Sequence, residues 1–261
     1  MKRTIAVANQ KGGVGKTTTT VNLGAGLALA GRRTLIVDLD PQANSTRALG
    51  FERDVDRPSI YDVLIEGTPL ADVVLPTEME NLFLCPSENE LTGAEVELAA
   101  LPRREYRLAE RLPQLEGWDF VLLDCPPSLG FLTVNALTAA DSVLIPIQCE
   151  YLALEGVTQL IETLRRVKRS LNPRLAIEGV LLTMFDERTN LSRQVAEEVY
   201  EFFQDAVYET VIPRNIRLGE APSFGKPIFM YDARSKGATA YLELAREILG
   251  REGRAETQSA G

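Results

Sequence analysis

Short apolar runs recur along the chain, separated by stretches with helical spacing. Thr4–Asn9 (TIAVAN) and Thr34–Asp38 (TLIVD) are the first two runs. Leu82–Cys85, Phe120–Asp124, Val143–Ile147 and Ile177–Thr183 repeat the pattern, and Val207–Ile212 is one more candidate. Runs this short and this rich in branched residues predict strands buried on both faces. Thr17–Ala30 carries apolar Val21, Leu23, Ala28 and Leu29 at helical spacing, and Gly31 follows as a stop signal. Glu95–Leu112, Phe131–Ala140, Leu154–Leu171 and Leu191–Phe203 are amphipathic and predict further helices. Strands alternating with helices predict an α/β fold, a mostly parallel twisted sheet with helices on both faces. Phe51–Thr92 is the least regular part and is expected to form an insertion over the ligand site. Residues 1–250 are expected to form one domain, and the polar, small-residue-rich segment 251–261 a flexible tail.

Composition narrows the function classes. With 45% hydrophobic residues in 261, the chain can bury a large core. No apolar run approaches the roughly 18–20 residues that span a bilayer. Met1-Lys2-Arg3-Thr4 leads straight into a strand, without the apolar core of a signal peptide. A cytoplasmic location is therefore expected. Cys85, Cys125 and Cys149 are far apart and form no CxxC pair, so they read as buried apolar positions. There is no histidine, so hydrolysis must rest on carboxylates, lysines, amides and a bound cation.

The densest chemistry lies in Asn9-Gln10-Lys11-Gly12-Gly13-Val14-Gly15-Lys16-Thr17-Thr18, between a predicted strand and a predicted helix. That is the context a phosphate-binding loop requires. The glycines let successive N–H groups turn toward phosphate oxygens, and the helix start adds its positive end. Lys16 is expected to reach the β- and γ-phosphates of ATP, Thr17 to ligate Mg²⁺, and Thr18 to meet the α-phosphate. Gln10 stands where the ordinary G-x-x-x-x-G-K-[ST] pattern has its first glycine. The loop reads K-G-G-x-G-K-T-T instead, with a second lysine, Lys11, at its start. This is the deviant Walker A signature. Asp38 and Asp40 alternate onto one side at a strand's C-terminal end, where open α/β sheets bind ligands. Asp124 ends an apolar strand in the Walker B manner, as a magnesium ligand through water.

On these motifs the chain resembles the ParA/MinD family of deviant Walker A ATPases, and within it the ParA or Soj partitioning ATPases, from Thr4 to about Leu249. The resemblance implies that Asp40 positions the attacking water and that Asp38 sits near the magnesium shell. It implies adenine contacts from Pro213 and Asn215, and a switch segment at Pro126-Pro127-Ser128. Lys16 already fills the usual lysine position, so Lys11 is expected to point outward to phosphates held by a second subunit in an ATP-dependent homodimer. A ParB-type centromere-binding protein is the implied partner and stimulator of a slow ATPase.

The family divides by what its dimer binds. Tyr241–Leu249 is amphipathic, but Glu243, Arg246 and Glu247 mix its charges, so no membrane binding is expected. The cysteine spacing does not suit a shared iron–sulfur cluster. Net charge −9 weighs against nucleic acid, yet Pro213–Arg246 holds six basic and three acidic residues. The resemblance assigns DNA contacts to Arg188 and Arg217, with Lys226, Arg234 and Lys236 as additions. The expected function is chromosome or plasmid partitioning on non-specific double-stranded nucleoid DNA. The alternatives are positioning of a protein cargo, MinD-like regulation of the division site, and a small-molecule ligase on the same fold.

Overall fold

The computed structural model describes residues 2–54, 56–150 and 153–259, with the side chains of 153–155 and 252–259 left out. Seven strands form one sheet: β1 (Arg3–Val7), β2 (Thr34–Asp38), β3 (Leu75–Pro76), β4 (Leu82–Cys85), β5 (Phe120–Asp124), β6 (Ser142–Gln148) and β7 (Ala176–Thr183). Their order is β3-β4-β2-β5-β1-β6-β7, and every pairing is parallel except β3 with β4. The helices are α1 (Lys16–Leu29), α2 (Asn44–Ala48), α3 (Leu91–Ala100), α4 (Phe131–Ala139), α5 (Ala153–Ser170), α6 (Asn190–Phe203), α7 (Ile216–Glu220), α8 (Ile228–Tyr231) and α9 (Lys236–Ser259).

Strand alternation builds two cores. Ile5, Val7, Ile36, Leu122 and Leu144 face α1 and α9, where Leu23, Leu27, Tyr241 and Leu244 close over them. Ala6, Leu35, Val37, Val121, Leu123 and Ile145 face the other way, toward Leu98, Leu132, Leu137, Leu160 and Val199. A sheet covered on both faces needs strands that are apolar throughout, which is what makes these runs conspicuous in the sequence.

Four expectations change. The predicted helix Glu95–Leu112 begins earlier and ends at Ala100. Pro102 disfavours helical dihedrals at the residue before it, and Leu101 is extended at ψ 144°. Residues 103–111 are turns that still bury Leu108. Val207–Ile212 forms only an isolated bridge to β7, Val207 against Val180, because the amides of Glu209 and Thr210 donate to the Glu247 carboxylate on α9, each at 3.0 Å. None of the described residues of 51–92 lines the cavities beside the glycine-rich loop. Their apolar side chains Ile60, Val63, Leu64 and Leu70 join the core instead. The last helix continues to Ser259, beyond the Arg251 boundary expected for the tail; Ala260 and Gly261 lie outside the described residues.

Candidate functional site

β1 is central and runs directly into the glycine-rich loop, so the loop opens at the C-terminal edge of the sheet. Gly13 and Gly15 take positive φ, 75° and 89°, in the left-handed region where a side chain is strained. Asn9 anchors the loop's entry: its amide donates to Pro146 O at 2.7 Å, and its Oδ1 accepts from Lys11 N at 3.0 Å. Thr183 holds the far side, donating to Val14 O at 2.8 Å. Lys16 begins α1, and its ammonium lies across the loop, 3.1 Å from Lys11 O. Burial lowers the Lys16 pKa, and Asp124, Cys125 and Asp40 oppose that shift.

Two adjoining cavities follow the loop. The larger, about 630 Å³, is lined by Gly12, Gly13, Gly15, Lys16, Thr17 and Thr18, with Asp40, Pro127, Arg47 and Lys226 on its other walls. The smaller, about 330 Å³, is lined by Pro213, Asn215, Ile212, Leu218 and Tyr241. The two share Gly15, Thr18 and Met184. A polyphosphate joined to a planar base suits this form, a chamber edged by the glycine-rich loop and Lys16 that adjoins a more apolar slot. Asn215 caps α7 by accepting from Arg217 N at 2.8 Å, which leaves its amide nitrogen for a ligand edge.

Beneath the loop, Asp38 and Asp124 are register partners on adjacent strands, and both are fully buried. Asp38 Oδ1 accepts from Asp40 N at 3.1 Å, and Oδ2 accepts from the amide and hydroxyl of Thr46, each at 2.8 Å. Asp124 accepts from Ser45 Oγ at 2.7 Å and from Thr20 Oγ1 at 3.2 Å. Burial raises the Asp38 pKa and the Asp124 charge raises it further, against these hydrogen bonds. Burial likewise raises that of Asp124, opposed by the Ser45 and Thr17 hydroxyls. Two carboxylates pressed together out of water suit a bound dication. The donors are all oxygen, and among the described residues no group of three or more acidic, cysteine or histidine side chains is arranged to hold a metal ion by itself. That set fits Mg²⁺, which keeps waters and takes ligands from phosphates rather than from a self-contained protein cage.

Asp40 lies at the cavity wall, turned by Gln42 N donating to its Oδ1 at 2.9 Å, and its carbonyl accepts from Ser87 Oγ at 2.8 Å. Lys11 is half-buried and does not line the cavity. Its Cβ packs toward Gly156 of α5. The sequence reading missed Ser45, Thr46 and Thr20, which donate to the carboxylates, and Ser87, which holds the Asp40 carbonyl and the Thr46 hydroxyl. Hydroxyl residues without a motif of their own give no signal until the fold brings them under Asp38 and Asp124.

The candidate DNA residues separate. Arg188 is exposed and forks onto Asp186 at 2.7 and 2.8 Å. Arg217 is exposed between Glu220, at 2.8 Å, and Asp232, at 3.5 Å. Arg234 and Lys236 are exposed, whereas Lys226 lines the larger cavity. Cys85, Cys125 and Cys149 are buried free thiols, and burial pushes Cys149 up to about 12.

The family model described as an AAA domain matches residues 2–177. The sporulation initiation inhibitor protein Soj of Bacillus subtilis is 56% identical over 249 residues, covering 95% of this chain and 98% of that protein. The chromosome partitioning protein ParA of Caulobacter vibrioides is 53% identical over 253 residues, covering 96% and 95%. This chain belongs to the Soj/ParA family of chromosome-partitioning ATPases. A solved structure described as cobyrinic acid a,c-diamide synthase of Mycobacterium smegmatis, with bound ATP analog and magnesium, superposes at TM-score 0.84. It is 42% identical and covers 95% of each chain. ATP and Mg²⁺ are the cofactors of this ParA-family ATPase. No described helix is long and apolar enough to cross a membrane.

Proposed function

We propose that this ATPase is an ATP-dependent dimerising switch. It binds double-stranded DNA without reading sequence, in the cytoplasm on nucleoid DNA, and drives partitioning of a chromosome or plasmid with a ParB-type partner. The observation that carries this reading is the placement of the two lysines. Lys16 lies in the cavity, while Lys11, five residues earlier, lies outside it. A cation set beside a phosphate loop, but not aimed into it, suits phosphates held by a facing copy. The terminal phosphate then favours the dimer by differential contact, and loss of that phosphate releases it.

Within one subunit the amides of Gly12 to Thr18, with Val14 shaping the turn, cradle the phosphates. Lys16 neutralises the β- and γ-phosphates. Thr17, Asp38 and Asp124 would hold Mg²⁺, which when bound offsets charge on the transferring phosphoryl group. Asp40 orients the attacking water, and Lys11 adds charge from across the interface. Pro213 packs on the base, and Asn215 meets its polar edge. Arg188, Arg217, Arg234 and Lys236 form the DNA face. Arg188 and Arg217 now pair with Asp186 and Glu220 through exposed guanidinium groups, ion pairs weak enough to be exchanged for phosphates.

The test measures mass in solution and DNA binding with a non-hydrolysable ATP analogue, ADP or no nucleotide. Wild type should dimerise and bind DNA only with the analogue, with affinity falling steeply as salt rises. Lys11→Ala should bind the analogue yet stay monomeric. A monomer indifferent to DNA at saturating analogue and Mg²⁺ would overturn the proposal. Hydrolysis stimulated by a metabolite carboxylate instead of DNA and a partner peptide would mark a ligase.

A further inference from the structure

We infer that Lys226 is a nucleotide-contacting residue and not part of the DNA face. The inference rests on reading the larger cavity as the phosphate chamber. Four charged side chains line that chamber: Lys16, Arg47 and Lys226 as cations, and Asp40 as the single carboxylate. In a chain of net charge −9, this concentration of positive charge marks a polyanion site. Lys16 is accounted for by the loop. Arg47 donates to Gln42 O and Asn44 Oδ1, both at 2.8 Å, which holds it against its own helix. Lys226 differs, because among the described residues no carboxylate pairs with its ammonium.

The segment carrying Lys226 is fixed on three sides. Lys226 N donates to Ala221 O at 3.3 Å, and Gly225 N to Pro222 O at 3.0 Å. Gly225 takes φ +64° and packs on Gly50, where a built Cβ would lie 2.6 Å from Gly50 Cα. Ile228 N donates to Asn22 Oδ1 on α1 at 2.7 Å. The lysine stem therefore leaves a backbone clamped to α1 and to the chain just after α2, half-buried, on the chamber wall. Arg217, Arg234 and Lys236, close by in sequence, are exposed and line neither cavity. A half-buried lysine without a carboxylate partner, on the wall of a chamber read as the phosphate site, is best satisfied by the phosphates themselves.

The experiment uses the full chain with a non-hydrolysable ATP analogue and Mg²⁺. Lys226→Gln should raise the analogue's Kd about tenfold, equivalent to about 1.4 kcal/mol. Lys226→Arg, which keeps the charge, should stay within about threefold of wild type by the same measure. With nucleotide at saturation, the Gln variant should bind DNA with wild-type affinity and salt dependence. A general loss of structure would weaken both variants alike; the Arg rescue separates that case and would then fail, sinking the inference. Unchanged nucleotide affinity in Lys226→Gln would also sink it. So would weakened DNA binding at saturating nucleotide, which returns the residue to the DNA face. If wild type itself fails to bind the analogue, the proposed function fails instead.

Discussion

Thr46→Val removes one hydroxyl and no volume, and it isolates the scaffold that holds Asp38. The hydroxyl donates to Asp38 Oδ2 at 2.8 Å and accepts from Ser87 N at 3.0 Å. All three residues are buried, so water cannot readily replace either bond. A hydrogen bond to a charged group is worth about 1.5–3 kcal/mol, and a buried N–H left unpaired costs about 1–3 kcal/mol. Together they predict destabilisation of about 3–5 kcal/mol, a large part of the roughly 5–15 kcal/mol that holds a domain folded. The control is Thr46→Ser, which keeps both bonds and loses one methyl, worth about 0.8 kcal/mol. Urea denaturation of the nucleotide-free protein reads both, as midpoint shifts at unchanged slope. If Val and Ser destabilise equally, the hydroxyl carries no such burden and the account of the carboxylate scaffold is wrong.

Asp40→Ala should bind ATP and dimerise but release no phosphate, checked by size measurement and a phosphate assay; normal turnover would remove Asp40 from the mechanism. Gly179→Ala should destabilise by about 1–3 kcal/mol, because a Cβ there would overlap the buried Tyr208 ring; a melting temperature equal to wild type would contradict this. Arg188→Glu combined with Arg217→Glu should abolish ATP-dependent DNA binding while nucleotide affinity stays as in wild type, read by fluorescence anisotropy; retained binding would move the face elsewhere.

The six longer strands of the sheet were legible because each is apolar on both faces. Two-residue β3, Leu75–Pro76, is too short to leave a periodicity. The expectation of a helix to Leu112 followed burial rather than backbone: Leu108 and Leu112 face the core, yet Pro102 had already ended the helix. In the site, the loop and the carboxylates were legible as motifs, since their spacing is set locally. Lys226 was grouped with Arg217, Arg234 and Lys236 because composition reports that basic residues cluster, not that this one lines the larger cavity. Ser45 and Thr46 became visible only once β2 and β5 were set side by side.

Glu247 ties α9 to the segment that leads to Pro213 and the smaller cavity. Burial would raise its carboxyl, but the Glu209 and Thr210 amides, aided by Arg251, hold it below the usual carboxylate range. The segment leading to Pro213 thus hangs partly from a helix side chain instead of a full strand ladder. A shift of α9 along its axis would move the wall of the smaller cavity, which both Pro213 and Tyr241 of α9 line. Anything that grips that helix, from a fused tag to a bound protein, would pull on that wall, and through it on whatever the proposed nucleotide site holds there.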